Sequence, residues 1–550
     1  MNLLEPLAPP YDAIEWSQRA FPERARMVCG AWALQGYGTP LAGYALYAIK
    51  VIFYIGAWIV FCGFTPGLGG LRDIGSWWLA PIAFQKAIIW SLLFEILGLG
   101  CGSGPLTGRY FPPFGGFLYF LRPGTTKLPP FPNLPLLGGH TRSWLDVALY
   151  LALIVCALRA LLAPAIDASL LVPIAVLVPV LALADKTLFL AARGEHYYTV
   201  ILCFLFAGNW IAGAKAVQLA LWFWAGFSKL NHHFPTVVCV MASNSPVLPF
   251  AWLRRRMYRD YPANLRPSTL AVVMAHAGTA LEFSVPIVLL LGSAGVLPPL
   301  LGIGLMLALH IYITSNVPMG VPIEWNFSVV YGAFFLFWAH PEVSVFDLGS
   351  PLLALYLVAV LIAVPLLGNV FPQKISFLLA MRYYAGNWPV SVWLFRAGSY
   401  RKLDQSLLKT SPWVYDQLER FYDRRTAVGL VGKVMAFRLM HLHGRALGML
   451  LPKAIDGPLH EYEYLDGELV AGLTLGWNFG DGHLHDERLL AALQAQCGFE
   501  AGELRCIFIE SQPLGGSTLH WRIADAKTGR LHEGRVPVRE LLSRQPWDEG

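Results

Sequence analysis

Trp222-Phe223-Trp224-Ala225-Gly226-Phe227-Ser228-Lys229-Leu230-Asn231-His232-His233-Phe234 closes an apolar run that begins near residue 208. A predominantly apolar stretch of about 20 residues can cross a bilayer as a helix. Here a lysine, an asparagine and two histidines end the run, near the depth where hydrocarbon gives way to headgroups. An amine at that depth reaches water, finds a partner or loses its proton. Most helix-end lysines simply snorkel to the interface. The other polar groups of the chain make Lys229 a candidate base or binding group instead.

Similar runs recur near 41–64, 77–100, 145–163, 168–184, 269–292, 297–317, 326–340 and 351–370. With 208–230 they make about nine spans of the required length. The segment 197–207 either extends the helix after it or forms a short re-entrant piece. The 550 residues are 56% hydrophobic and 14% charged, where a soluble domain carries about 25% charge. The fold class that follows is an all-α polytopic membrane helix bundle with a small C-terminal α+β domain. A net charge of +6, spread along the chain, suits anionic lipid. No nucleic-acid motif is present.

The first forty residues contain Pro9-Pro10, Arg19, Glu23, Arg24 and Arg26 and no apolar core, so a cleavable signal peptide is not expected. They read as an N-terminal amphipathic cap on a bundle spanning 41–370. The basic residues before the first span favour an inside N-terminus, but Arg254-Arg255-Arg256 conflicts with that orientation for nine spans. Of eight cysteines, Cys497 and Cys506 could pair, and the rest read as small buried hydrophobes.

Residues 101–140 hold eight prolines and eight glycines. Long connections of this kind are functional or disordered, and the aromatic content here argues against disorder. Arg109 and Arg122 could hold a phosphate or carboxylate; a rigid cap with arginines at headgroups is the equal alternative. After residue 371 the composition turns polar. A helical region near 402–424 leads to 426–451, with Arg438, His441 and Arg445 at helical steps. That helix lies on the membrane or packs on its own domain. Strand-like alternation follows at 466–479, 504–511, 518–525 and 531–538, with a helix capped by Asp486. His483 and His485 could chelate a metal from a strand, but no third ligand is in view, so a solvated turn and no metal site are expected.

The remaining ionisable residues at span depth are Lys50, Lys86, Glu95, Lys215, His276, Glu282 and His310. Each is a functional candidate because charge in hydrocarbon is expensive. Lys86 and Glu95 fall on opposite faces of their helix, whereas Lys215 and Lys229 share a face within about 40°. Glu282 is a counter-charge candidate for Lys229 or half of a structural salt bridge. His310 ends a helix before Pro318, Gly320 and Pro322, which break the backbone beside a cavity.

Ala225-Gly226-Phe227-Ser228-Lys229-Leu230-Asn231, with Glu282 and His310 on later helices, resembles the horizontally transferred transmembrane (HTTM) superfamily, which includes vitamin K-dependent gamma-carboxylase. That resemblance covers about 140–370. It implies a lysine base, Lys229, that starts oxygenation of a reduced quinone, in a membrane-embedded lyase or oxidoreductase. Glu282, His310, Asn231 and His232 would orient the lysine or carry its proton away. Arg109, Arg122, Trp222, Trp224 and Lys215 would line the substrate site. This chain has Ser228-Lys229 where the carboxylase has two lysines, and Asn231 in place of its aspartate. Its tail does not look like the family's luminal domain, which argues against carboxylation of a protein glutamate. Along the whole chain, Ala33-Leu34-Gln35-Gly36-Tyr37-Gly38-Thr39-Pro40 and the loop from Phe111 to Pro132 resemble a bacterial family of uncharacterised polytopic transmembrane proteins. The expected setting is therefore the bacterial inner membrane. Membrane lipids and a hydrophobic small molecule are the expected partners, with 371–550 offering a surface to a protein partner. The alternative is a non-catalytic lipid-binding, transport or scaffold protein.

Overall fold

The computed structural model describes residues 3–100, 105–110, 116–191, 194–206, 208–315, 323–375, 386–476 and 483–549. After a short turn of helix at Ala13–Gln18, the longer helices are α1 (Phe21–Gln35), α2 (Leu41–Cys62), α3 (Pro81–Ile96), α4 (Trp144–Leu162), α5 (Ala168–Ala184), α6 (Gly194–Leu205), α7 (Trp210–Phe227) and α8 (Phe234–Asn244). A small hairpin of β1 (Tyr258–Asp260) and β2 (Asn264–Pro267) precedes α9 (Thr269–Ser293), α10 (Pro299–Thr314), α11 (Ile323–Ala333) and α12 (Pro351–Val370).

Helix occupies each of the nine apolar stretches, but among the described residues only α2, α4, α9 and α12 are long and apolar enough to cross a membrane. Nine crossing helices are therefore not confirmed, and four are candidates among the described residues. Length is the reason: the 16 residues of α3 rise about 24 Å, short of a hydrocarbon core of about 30 Å. Its side chains are almost all buried in protein. By contrast α12 keeps Leu352, Leu355, Val358, Ile362 and Leu366 exposed, a face that requires lipid. Residues 197–205 belong to the separate helix α6, because Asn209 caps α7 through the Ile211 amide.

Where the spans are irregular, side chains take up the freed backbone groups. Pro179 cannot donate to the Ala175 carbonyl, and Tyr198 Oη donates to it at 2.7 Å. A π-helical turn interrupts α12 at Ala359–Ala363, and Trp224 Nε1 donates to the Leu361 carbonyl at 2.7 Å.

The tail is built on a five-stranded antiparallel sheet in the order β4-β3-β5-β6-β7. Its elements are β3 (Val390–Arg396), helix α13 (Arg424–Met440), β4 (Tyr462–Asp466), α14 (Gly467–Leu475), α15 (Glu487–Cys497), β5 (Leu504–Ile509), β6 (Thr518–Asp525) and β7 (Gly529–Pro537). Three of the four expected strands are present. The fourth, 466–479, is helical over Gly467–Leu475: Asp466 caps α14 by accepting from the Glu468 amide, and every α14 side chain is buried. An element buried all round has no alternation to read.

The 426–451 region is not a surface helix. It breaks after Met440 into a 3-10 turn at His443–Ala446, and α13 is buried from Ala427 onward. The N-terminal segment covers it: Trp16 packs on Gly432, and Lys433 Nζ bonds the carbonyl of Tyr37 at 2.9 Å. The proline-rich loop is also structural where described. Gln417 accepts from the Tyr110 amide and donates to the Gly108 carbonyl, both at 2.8 Å, and Tyr119 Oη bonds the Thr474 carbonyl. Cys497 and Cys506 are free buried thiols.

Candidate functional site

Lys229 lies two residues past the end of α7, and its amine forms an ion pair with Glu282 of α9. Both side chains are withdrawn from solvent, at 10% and 4% exposure. The helices meet closely because Gly226 faces the Phe283 ring, where an added Cβ would stand at 3.2 Å. The ring beside the amine is Phe234, 5.2 Å from Nζ. Pro286, one turn after Glu282, has no N–H to offer the Glu282 carbonyl, which leaves a second oxygen acceptor on the same turn.

His310 stands nearby in a defined protonation pattern. Trp222 Nε1 donates to its Nε2 at 3.1 Å, and its Nδ1 lies 2.7 Å from Asn326 Oδ1. The indole can only donate, so the imidazole is neutral with its hydrogen on Nδ1. With both nitrogens engaged, His310 holds Trp222 and Asn326 in place. Trp224 is turned toward α12. The segment Pro318, Gly320 and Pro322 lies outside the described residues.

Asn231 and His232 do not reach the amine. Asn231 accepts from the Gly515 amide at 3.1 Å and donates to the carbonyls of Gln512 and Pro513 at 3.2 and 3.4 Å. It pins the β5–β6 loop of the tail to the end of α7. Asn387 clamps the same loop through both the amide and the carbonyl of Gln512, each at 2.8 Å, and the Asn369 carbonyl accepts from Leu514. His232 is exposed, while His233 is buried 6.3 Å from the His443 ring.

Lys215 is remote from this pair. Fourteen residues of helix separate it from Lys229 by about 21 Å, and its amine bonds the carbonyls of His340 and Val343 at 2.8 and 2.5 Å. Lys50 and Lys86 cap the carbonyls of Gly100 and Phe61. His276 is exposed on α9. Arg109 is buried and Arg122 exposed, so they do not form one anion clamp. The stretches 101–104 and 111–115 of their loop lie outside the described residues.

A polar centre in the tail lay beyond sequence reasoning. Arg438 is buried between the carboxylates of Asp466 and Glu468, 2.5 and 2.7 Å away. Trp393 Nε1 donates to Ser391 Oγ at 3.0 Å, and the same Oγ is hydrogen-bonded with His485 Nδ1 at 2.7 Å. His483 Nε2 lies 3.0 Å from Glu510. The expected solvated turn at His483–His485 is thus a buried one. Its side-chain partners, Ser391 of β3 and Glu510 just after β5, are distant in sequence, a long-range fact that no local pattern carries. Among the described residues no cluster of three metal-ligating side chains occurs.

These features define a multi-pass helical membrane protein with four candidate spans among the described residues and a five-stranded sheet region tied to its helix ends. The chain belongs to the family described as transmembrane protein of unknown function (DUF3556), whose model matches residues 1–550. No curated protein and no solved structure matches it.

Proposed function

We propose that the chain is a membrane-embedded enzyme acting on a lipophilic substrate, a quinone, isoprenoid or lipid, with Lys229 as base. What supports this is the Lys229–Glu282 pair, withdrawn from solvent at a helix end beside an aromatic ring. In that pair the lysine rests protonated. A hydrophobic substrate that expels the remaining water disfavours both charges. The proton then passes from Nζ to the Glu282 carboxylate, and the free amine accepts a proton from a hydroxyl of the substrate. The Phe234 face and the amine suit a hydroxylated ring, such as that of a reduced quinone. His310 acts here by positioning Trp222. On this reading the bundle of residues 41–370 carries the chemistry within the membrane, and residues 371–550 receive a protein partner.

Lys229→Arg separates the chemistry from the salt bridge, because guanidinium keeps the charge and does not deprotonate. The assay is oxygen uptake by the purified chain with a reduced isoprenoid naphthoquinone. Uptake by the native chain, abolished in Lys229→Arg at an unchanged melting temperature, supports the base. Equal uptake by both proteins overturns it. A second reading, a non-catalytic lipid binder, draws on a cavity of about 290 Å³ lined by Tyr54, Trp58, Trp78 and Tyr331 between α2, α3 and α11.

A further inference from the structure

We infer that the polar face of the tail sheet binds the phosphodiester headgroup of an anionic membrane lipid, held by Arg535 and Ser511. This inference does not depend on Lys229. The strand β6 buries alternate residues, so Thr518, His520 and Arg522 share the outer face. Pairing of β6 with β7 sets Arg535 opposite His520 on that face. An outer sheet face is ordinarily open to water. Here Gln373 and the loop at Ser511–Pro513 fold over it and enclose a cleft of about 530 Å³.

The position of the cleft sets its neighbours. Gln373 follows the end of α12 by three residues, and the loop is tied to α12 through the Leu514–Asn369 bond. The cleft therefore opens at headgroup depth. The charges lining it are mostly spent on one another. Arg522 pairs with Glu487 and donates to His520 Nδ1, so His520 carries its hydrogen on Nε2, 2.9 Å from Glu533. Glu533 also holds Arg530, and Glu510 is engaged by His483 and by the Ser511 amide.

Two groups are left over. Arg535 has no hydrogen-bond or ion-pair partner among the described residues. Ser511 Oγ is buried, lines the cleft and lacks a partner there as well. A buried hydroxyl without a partner is costly and points to a missing ligand. One uncommitted guanidinium and one hydroxyl match a singly charged phosphodiester, with guanidinium supplying two donors. The same chemistry could come from free phosphate; the cleft's place beside the last span favours the lipid.

The test is native mass spectrometry of the full chain in detergent, titrated in turn with phosphatidylglycerol, phosphatidylcholine and inorganic phosphate. The native chain should retain phosphatidylglycerol over phosphatidylcholine. Arg535→Glu should lower that retention about tenfold, and Ser511→Ala should lower it less. Charge reversal at the exposed Arg401, elsewhere on the tail, should leave it unchanged. Circular dichroism confirms that the Arg535→Glu tail is folded, as expected for an exposed side chain. Equal retention of the two lipids overturns the inference, as does native-like binding by Arg535→Glu or an equal loss with Arg401→Glu. Phosphate binding as tight as phosphatidylglycerol overturns the lipid as the occupant.

Discussion

A methyl group added at Gly467 would sit 1.8 Å from Ser391 Oγ and 2.7 Å from His485 Nδ1. The Ser391–His485 contact therefore exists because position 467 has no side chain. Gly467→Ala should lower stability by about 1–3 kcal/mol, the usual cost of overpacking. Gly278→Ala, inside α9 with open space around it, should hold the thermal midpoint or raise it slightly. The Lys229–Glu282 pair is tested at the same scale. Removing one member of a buried pair costs about 3–5 kcal/mol, whereas replacing both with apolar residues is often neutral. Lys229→Met and Glu282→Leu should each destabilise the protein, and the double substitution should recover most of the loss. A double variant as unstable as the sum of the singles would show that the two side chains are not coupled.

Between elements, the contact with the most consequence is the β5–β6 loop held by Asn231, Asn369 and Asn387. It ties the sheet to the ends of α7 and α12, so the tail and the Lys229 helix end form one mechanical unit. Asn231→Leu should raise amide hydrogen exchange at Gly515 and its neighbours while leaving β3 protected; unchanged exchange there would remove Asn231 from the clamp. The loop also shows where sequence reading stops. The clearest one-sided element was legible: β6 alternates, and Asp486 announces α15, while β5 and β7 were placed without alternating burial. β3 and α14 were not, because both are buried on all sides and present a plain apolar run. The Lys229 site was half legible. Ionisable groups at span depth singled out Lys229, Glu282 and His310, but the direction of Asn231 depends on a loop nearly three hundred residues away.

On the scale of the whole molecule, the tail buries four imidazoles, His441, His443, His483 and His485, and burial shifts three of them the same way. Burial pushes His441 and His443 down to about 3 and His485 to about 4. In the unfolded chain each titrates near 6.5. Between those values the unfolded state binds more protons than the folded one, so stability falls as the pH drops. The loss begins near pH 6.5 and continues to pH 3–4, at about 2 kcal/mol per histidine by pH 5. Thermal midpoints of the full chain in detergent should therefore fall steadily from pH 7.5 to pH 5. His443 identifies the source, since neither of its ring nitrogens has a hydrogen-bond partner among the described residues. His443→Phe keeps an aromatic ring and removes one titrating group, so its midpoint should fall less over the same range. A native midpoint that is flat between pH 7.5 and 5 would mean that these rings reach water and titrate in the folded protein as they do in the unfolded chain.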